Sequence, residues 1–470
     1  MISWIGAWFL IGISRNVAFM AQQSLGVIRN TALSDDSKEL ALREFSLKLF
    51  KSFIVIMLGG AGAFLIPTGL VWLGDKFGWI SLSSVLNVTI SPQFLMTSAV
   101  VATMALIFPR RKKVKPKDYS ALDRTLHQIA FKTTAAQVAL ADLEDRLYEK
   151  QLAKCKADQP VFISALPRAG TTLLLESCVK LGGFASHCYR DMPFVLIPCL
   201  WSRFSSRFQQ SGRLRERAHG DGMLINYDSP EALEEVIWKS FWRKHYQNDR
   251  IIPWQNEKNE EFTDFYRSHM KKIILLRGGQ NASGTRYLSK NNLNIARTRM
   301  LRRLFPQAVI IVPFRQPLHH ASSLLQQHLN FLRIHQEDPF ASEYMRAIGH
   351  YDFGNNLCPV DFGGWFDRRQ CQDTQTLAFW VEYWVAAYKH LLAESEGLYF
   401  FSYEGLCADP NTGLKRLAEL LGNSNTADLK TTAAELHAPR AREIDDSSIP
   451  PSILEQTHGI YHSLREKALH

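Results

Sequence analysis

The sequence predicts an α/β domain built on a central parallel sheet flanked by helices, preceded by an N-terminal transmembrane helical hairpin. Three observations carry this. A short apolar run, Val161–Ala165, passes through a small-residue loop into the helical pattern of Leu173–Leu181. A second apolar run, Val309–Phe314, ends in Arg315 and leads into another helical stretch. From Ser52 to Gly74 no residue is charged. Short apolar runs that alternate with helical patterns are the mark of parallel strands joined by crossover helices.

The hairpin is read from hydropathy. Residues 52–74 are 23 in number, against the roughly 20 apolar residues that a membrane-crossing helix needs. A second span is expected from Leu86 to Phe108, with Pro92 tolerated as a kink near one end. Lys48 and Lys51 precede the pair, and Arg110, Arg111, Lys112, Lys113, Lys115 and Lys117 follow it, so both ends are expected on the cytoplasmic side. Met1–Ser14 is apolar but too short to span, and it lacks the basic start of a cleaved signal peptide. The predicted organisation is a helical or interfacial segment over 1–51 and a hairpin over 52–109. A basic linker with an amphipathic helix follows over 110–157, then a main domain over 158–445 and a tail over 446–470.

Composition narrows the partners. The chain has 470 residues, 46% of them apolar, enough for a large core. Its formal charge of +10 suits an anionic ligand or surface. Seven cysteines show no CxxC spacing and no adjacent His cluster, so reduced thiols and no metal are expected.

The first loop reads Pro167-Arg168-Ala169-Gly170-Thr171-Thr172. A strand, a loop of small residues and a helix start aim successive backbone N–H groups at an anion, and the helix dipole favours negative charge there. Arg168 adds charge, and Thr171 and Thr172 add hydroxyl donors. The arrangement is P-loop-like without being a Walker A motif, because the Lys of GxxxxGK[ST] is missing. The second strand places Arg315 at its carboxyl end, where open α/β sheets bind ligands. Arg is suited to bidentate phosphate contact.

Taken with these residues, the Pro-Arg-small-Gly-Thr-Thr loop resembles the 5′-phosphosulfate loop of sulfotransferases, closest to the bacterial and tyrosylprotein-sulfotransferase-like branch. The resemblance covers roughly residues 158–445. It implies a sulfuryl donor, 3′-phosphoadenylyl sulfate (PAPS), with PAP as product and no metal. It implies that Arg315 and Ser323, eight residues later, hold the donor's 3′-phosphate, and that Arg168, Ala169, Gly170, Thr171 and Thr172 hold the 5′ side. Lys290, in Ser289-Lys290-Asn291-Asn292, is implied to neutralise the transferred group and the leaving phosphate. Arg440 or Arg442, after His437-Ala438-Pro439, is the implied basic residue that closes over the donor. The stretch from Tyr399 to Leu406 resembles the family's late strand and helix and is expected to build fold.

Sulfuryl transfer needs a base for the acceptor hydroxyl. By its place after the loop helix, Asp191 is the residue the resemblance indicates, although Arg190-Asp191-Met192-Pro193 replaces the paired glutamates of that branch. His187 is the alternative, with an intrinsic pKa suited to the task. The expected acceptor is a glycan, a lipid or a protein tyrosine, with no nucleic acid among the partners. The expected location is a bacterial inner membrane, multi-pass, with a cytoplasmic catalytic domain. The competing readings are another P-loop-type nucleotide enzyme, such as a kinase, and a membrane scaffold that has lost catalysis. Residues 205–270 and 325–375 match nothing in the family and are the place for acceptor specificity.

Overall fold

The structure is a computed structural model. It describes residues 133–205, 227–423 and 443–469, the short stretches 68–69, 71–78, 215–216, 224–225 and 432–434, and isolated positions between 81 and 130 and at 436. The chain divides into two compact units, Met1–Arg124 and Thr125–His470. In the first, residues 71–76 are helical. The spans expected at 52–74 and 86–108 lie, apart from 68–69, 71–74 and 87, outside the described residues. Among the described residues no helix is long and apolar enough to cross a membrane.

The second unit is an α/β domain. Its strands are β1 (Val161–Ile163), β2 (Phe184–Ala185), β3 (Arg215–Glu216), β4 (Leu224–Ile225), β5 (Arg286–Lys290), β6 (Val309–Phe314) and β7 (Leu398–Ser402). Five of them form one sheet in the order β2-β5-β1-β6-β7, with every neighbouring pair parallel. The other two, β3 and β4, make a separate antiparallel pair.

Side-chain alternation sorts the core. Val161, Ile163, Leu288, Ile311 and Phe401 face the loop helix Thr171–Leu181 and the helix Pro410–Leu420. Phe162, Tyr287, Ile310, Val312 and Phe400 face the other way, toward the helices Glu260–Gly278, Pro317–Glu337 and Leu377–Ala393. Successive residues of a strand point to opposite faces, so a sheet covered on both sides needs apolar residues at every position. That is why β1 and β6 read as continuous apolar runs.

Two boundaries differ from the sequence expectation. The tail predicted from residue 446 belongs to the domain. Helix Pro451–Lys467 buries Ile453 and Leu464 in the larger core cluster, and the Leu469 N–H bonds to the Phe400 carbonyl at 3.0 Å, extending the edge of β7. The helix expected to act as a linker also belongs to it. Helix Thr134–Leu147 turns Gln137, Ala141 and Glu144 inward, while Leu140, Leu143 and Leu147 are 42%, 48% and 57% exposed. Lys272, 1% exposed, decides this orientation: its ammonium lies 3.0 Å from Glu144 and 2.8 Å from Asp145.

Candidate active site

The carboxyl ends of β1, β5, β6 and β7 lie side by side. In register, Ile163 pairs with both Lys290 and Ile311, and Phe314 pairs with Ser402. The residues that follow each strand therefore converge on one edge of the sheet.

The loop after β1 is tightly held. Ser164 donates its hydroxyl to the Asn291 carbonyl at 2.8 Å. His320, buried on helix Pro317–Glu337, bonds through Nε2 to the Pro167 carbonyl at 2.7 Å. A carbonyl only accepts, so Nε2 carries the proton. Burial pushes this imidazole down to about 3, which keeps it neutral and the tautomer constant. Arg168 and Gly170 adopt positive φ, 69° and 96°. The Arg168 backbone is unusual for a residue with a side chain, and such conformations are over-represented at ligand sites. At Gly170 a Cβ would stand 2.7 Å from Cδ2 of Tyr403. Helix Thr171–Leu181 starts at once after it, so its first N–H groups open onto the loop. Ala169 is buried beneath, Thr172 is partly exposed, and Thr171 donates weakly to Asn292 at 3.5 Å.

Arg168, Arg315 and Ser323 meet. The Arg168 Nε donates to Ser323 Oγ at 3.3 Å, and Arg315 Nη1 donates to the Arg168 carbonyl at 3.0 Å. The Arg315 guanidinium carbon stands 4.6 Å from the centre of the Tyr403 ring, within cation–π range. Glu404 accepts the Gln316 N–H at 3.0 Å and lies 4.0 Å from Arg315. Tyr403, expected to serve only the fold, touches both cationic segments. Lys290 ends β5 with its ammonium 3.9 Å from Glu231 Oε1. Arg440 and Arg442 lie outside the described residues.

Asp191 and His187, the residues expected to supply the base, sit in a buried network. Asp191 is 3% exposed, and its carboxylate is shared by Arg277, the Cys188 N–H at 3.0 Å and His187 Nδ1 at 3.2 Å. Burial alone would raise its pKa; the hydrogen bond from His187 and the Arg277 charge outweigh this and hold it below the ordinary carboxylate range. The other nitrogen of His187 faces His269 Nε2 at 3.1 Å, with both rings buried. Charge and hydrogen bonds thus pin residues 187–191 to helix Glu260–Gly278. The pinned segment pairs with a second stretch of chain. Cys188 bridges Pro230, and the Glu231 N–H bonds to the His187 carbonyl at 3.0 Å. This pairing sets Glu231 beside Tyr189, whose hydroxyl donates to it.

Behind Lys290 lies Glu234, 1% exposed, accepting from the Ser289 hydroxyl. Burial pushes its carboxyl up to about 8, with Glu235 adding to the rise against the pull of Arg297. A carboxyl whose folded pKa exceeds its unfolded value contributes full stability below the unfolded value and loses it as pH rises through the folded one. Glu234→Gln, which stays neutral, is therefore expected to gain on wild type between pH 5 and pH 8, by about 3 kcal/mol at the upper end. Urea unfolding at the two pH values measures it; a difference that stays constant would contradict the protonated carboxyl.

Residues 160–352 match the model of a family described as the sulfotransferase family, a segment that holds β1, the loop, Lys290 and the Arg315–Ser323 pair. No curated protein matches the chain. Among solved structures, the chain is similar to the sulfotransferase STF1 from Mycobacterium tuberculosis H37Rv, with 13% identity over 77% of this chain and 86% of that one and a TM-score of 0.38. It is also similar to the sulfotransferase STF9 from Mycobacterium avium, with 14% identity over 72% and 84% and a TM-score of 0.39.

Proposed function

We propose that the protein is a PAPS-dependent sulfotransferase that moves a sulfuryl group to an acceptor hydroxyl by in-line displacement. The observation that carries this is the meeting of Arg168, Arg315 and Ser323 at the sheet edge where a strand–loop–helix anion cradle opens, inside the segment that matches the sulfotransferase family. The loop N–H groups, Arg168, Thr171 and Thr172 take the 5′-phosphosulfate, and Arg315 and Ser323 take the 3′-phosphate. Lys290 neutralises charge that builds on the sulfuryl group and the leaving phosphate. Positioning and fixed charge do most of the work in such a displacement. The acceptor is a hydroxyl of a glycan, a lipid or a protein tyrosine. Attachment to a membrane through residues 52–109, with the transferase on the cytoplasmic side, is part of the proposal. It is supported by the uncharged stretches of the sequence and by seven thiols that form no disulfide.

The test is calorimetric. Wild-type protein is expected to bind PAP at least about tenfold more tightly than 5′-AMP, because the 3′-phosphate gains charge-assisted bonds worth about 1.5–3 kcal/mol each. Arg315→Ala should lose most of that preference while 5′-AMP affinity changes little. Equal binding of the two nucleotides by the wild type would sink the proposal.

A further inference from the structure

Two consecutive carbonyls of the phosphate loop are held by side chains. His320 Nε2 donates to the Pro167 carbonyl at 2.7 Å, and Arg315 Nη1 donates to the Arg168 carbonyl at 3.0 Å. A trans peptide points its C=O and its N–H to opposite sides. The Arg168 N–H therefore faces away from His320, and the Ala169 N–H away from Arg315. Successive N–H groups turned out together make an anion-binding concavity. The arrangement has a cost, because it places Arg168 at φ 69°, where residues with side chains seldom rest. His320 is fully buried, and its Nδ1 has no hydrogen-bond partner among the described residues. The polar function of this ring is thus spent on the Pro167 carbonyl.

We propose that His320 is a positioning residue for the donor: its Nε2 proton keeps the Pro167–Arg168 peptide turned so that an N–H, and not a carbonyl oxygen, meets the 5′-phosphosulfate. The inference rests on the sulfotransferase reading. Without the donated proton the Pro167 carbonyl is left buried and unpaired, which a backbone group does not tolerate. Turning that one peptide over brings the carbonyl out to the cradle. It also carries the Arg168 φ to the negative side, which relieves the strained backbone. Arg315 holds the next peptide, so the change stays within one peptide unit. The flipped loop sets an oxygen against an anion, and the 5′ end of the donor is repelled where it was held.

The experiment titrates the full chain by calorimetry with PAP and with adenosine 3′-monophosphate. The ratio of the two affinities reads what the 5′-phosphate gains from the loop. The wild type is expected to favour PAP by at least about tenfold, the worth of one charge-assisted bond. His320→Met fills the space but has no proton to donate. It should lose most of that preference while binding adenosine 3′-monophosphate within about threefold of wild type. His320→Gln, of similar length and with an amide N–H at the reach of Nε2, should restore most of the preference. A merely structural role would weaken both ligands together, and a donor at that reach would restore nothing. Where circular dichroism shows that the Met protein does not fold, His320→Asn takes its place, an amide too short to reach the carbonyl, with the same expected loss. A folded Met or Asn protein with the wild-type ratio overturns the proposal, and so does a Gln protein that loses the ratio as fully. A wild type that binds PAP no more tightly than adenosine 3′-monophosphate overturns it too, and leaves the 3′ anchor standing. A wild type that binds no PAP overturns the donor reading itself, and this proposal with it.

Discussion

Replacing Lys272 by Met is expected to lower stability by about 3–5 kcal/mol, the usual cost of stranding one member of a buried ion pair. Lys272 is 1% exposed and its ammonium has three acceptors: Glu144 at 3.0 Å, Asp145 at 2.8 Å and the Ala141 carbonyl at 3.1 Å. Three protons meet three oxygens, all from helix Thr134–Leu147. Without the ammonium, Glu144 is left fully buried with only the Leu200 N–H, at 2.6 Å, as partner. Burial already pushes its carboxyl up, with the Lys272 charge opposing. The sign of the pH dependence follows. In the variant the carboxyl rises further, so the loss is largest above the ordinary carboxylate range and shrinks as acid protonates Glu144. The double variant Lys272→Met with Glu144→Gln should recover a large part of the loss, since removing both charges strands neither. Urea unfolding followed by tryptophan fluorescence at pH 5 and pH 8 reads all three proteins. A loss below about 1 kcal/mol would mean that this pair does not hold the helix to the domain.

Gly170→Ala should reduce PAP affinity about 10- to 100-fold, equivalent to one or two charge-assisted bonds. Two separate costs fall on this methyl group. The backbone sits at φ 96°, which strains any residue with a side chain. The methyl carbon would also stand 2.7 Å from Tyr403 Cδ2, and Tyr403 carries the Arg315 guanidinium on its ring. Relief of the contact pushes either the loop or the ring, so the proposed 5′ anchor or the proposed 3′ anchor moves. Combining Gly170→Ala with Tyr403→Leu removes the contact but not the backbone strain, and only part of the affinity should return. Calorimetric titration with PAP decides; wild-type affinity in Gly170→Ala would show that the loop tolerates the change and that its glycine is not needed for the donor.

Local features were legible in the sequence because each is written in a few consecutive residues. The loop from Pro167 to Thr172 lies between a strand and a helix start, and backbone geometry makes any such junction an anion cradle. Arg315 lies just before one helix and Ser323 within its first two turns, eight positions on, so a strand that ends at Phe314 delivers both to the same edge. The apolar runs of β1 and β6 declare a sheet covered on both faces.

Whatever depended on residues far apart in the chain was decided by the tertiary structure. The sequence offered Asp191 as a base by its place after the loop helix. Packing brings Arg277 to it from 86 positions away, a contact that no local pattern announces. Glu231 showed no motif; it reaches Lys290 only because residues 187–191 and 227–231 pair across the chain. The helix Thr134–Leu147 looks from its leucines as if it should turn them inward, yet a buried lysine on the neighbouring helix outweighs them and draws Glu144 into the core. Periodicity reports which faces of an element are apolar. Which face is buried, and which charge is free to act, depends on the charges that distant segments place against it.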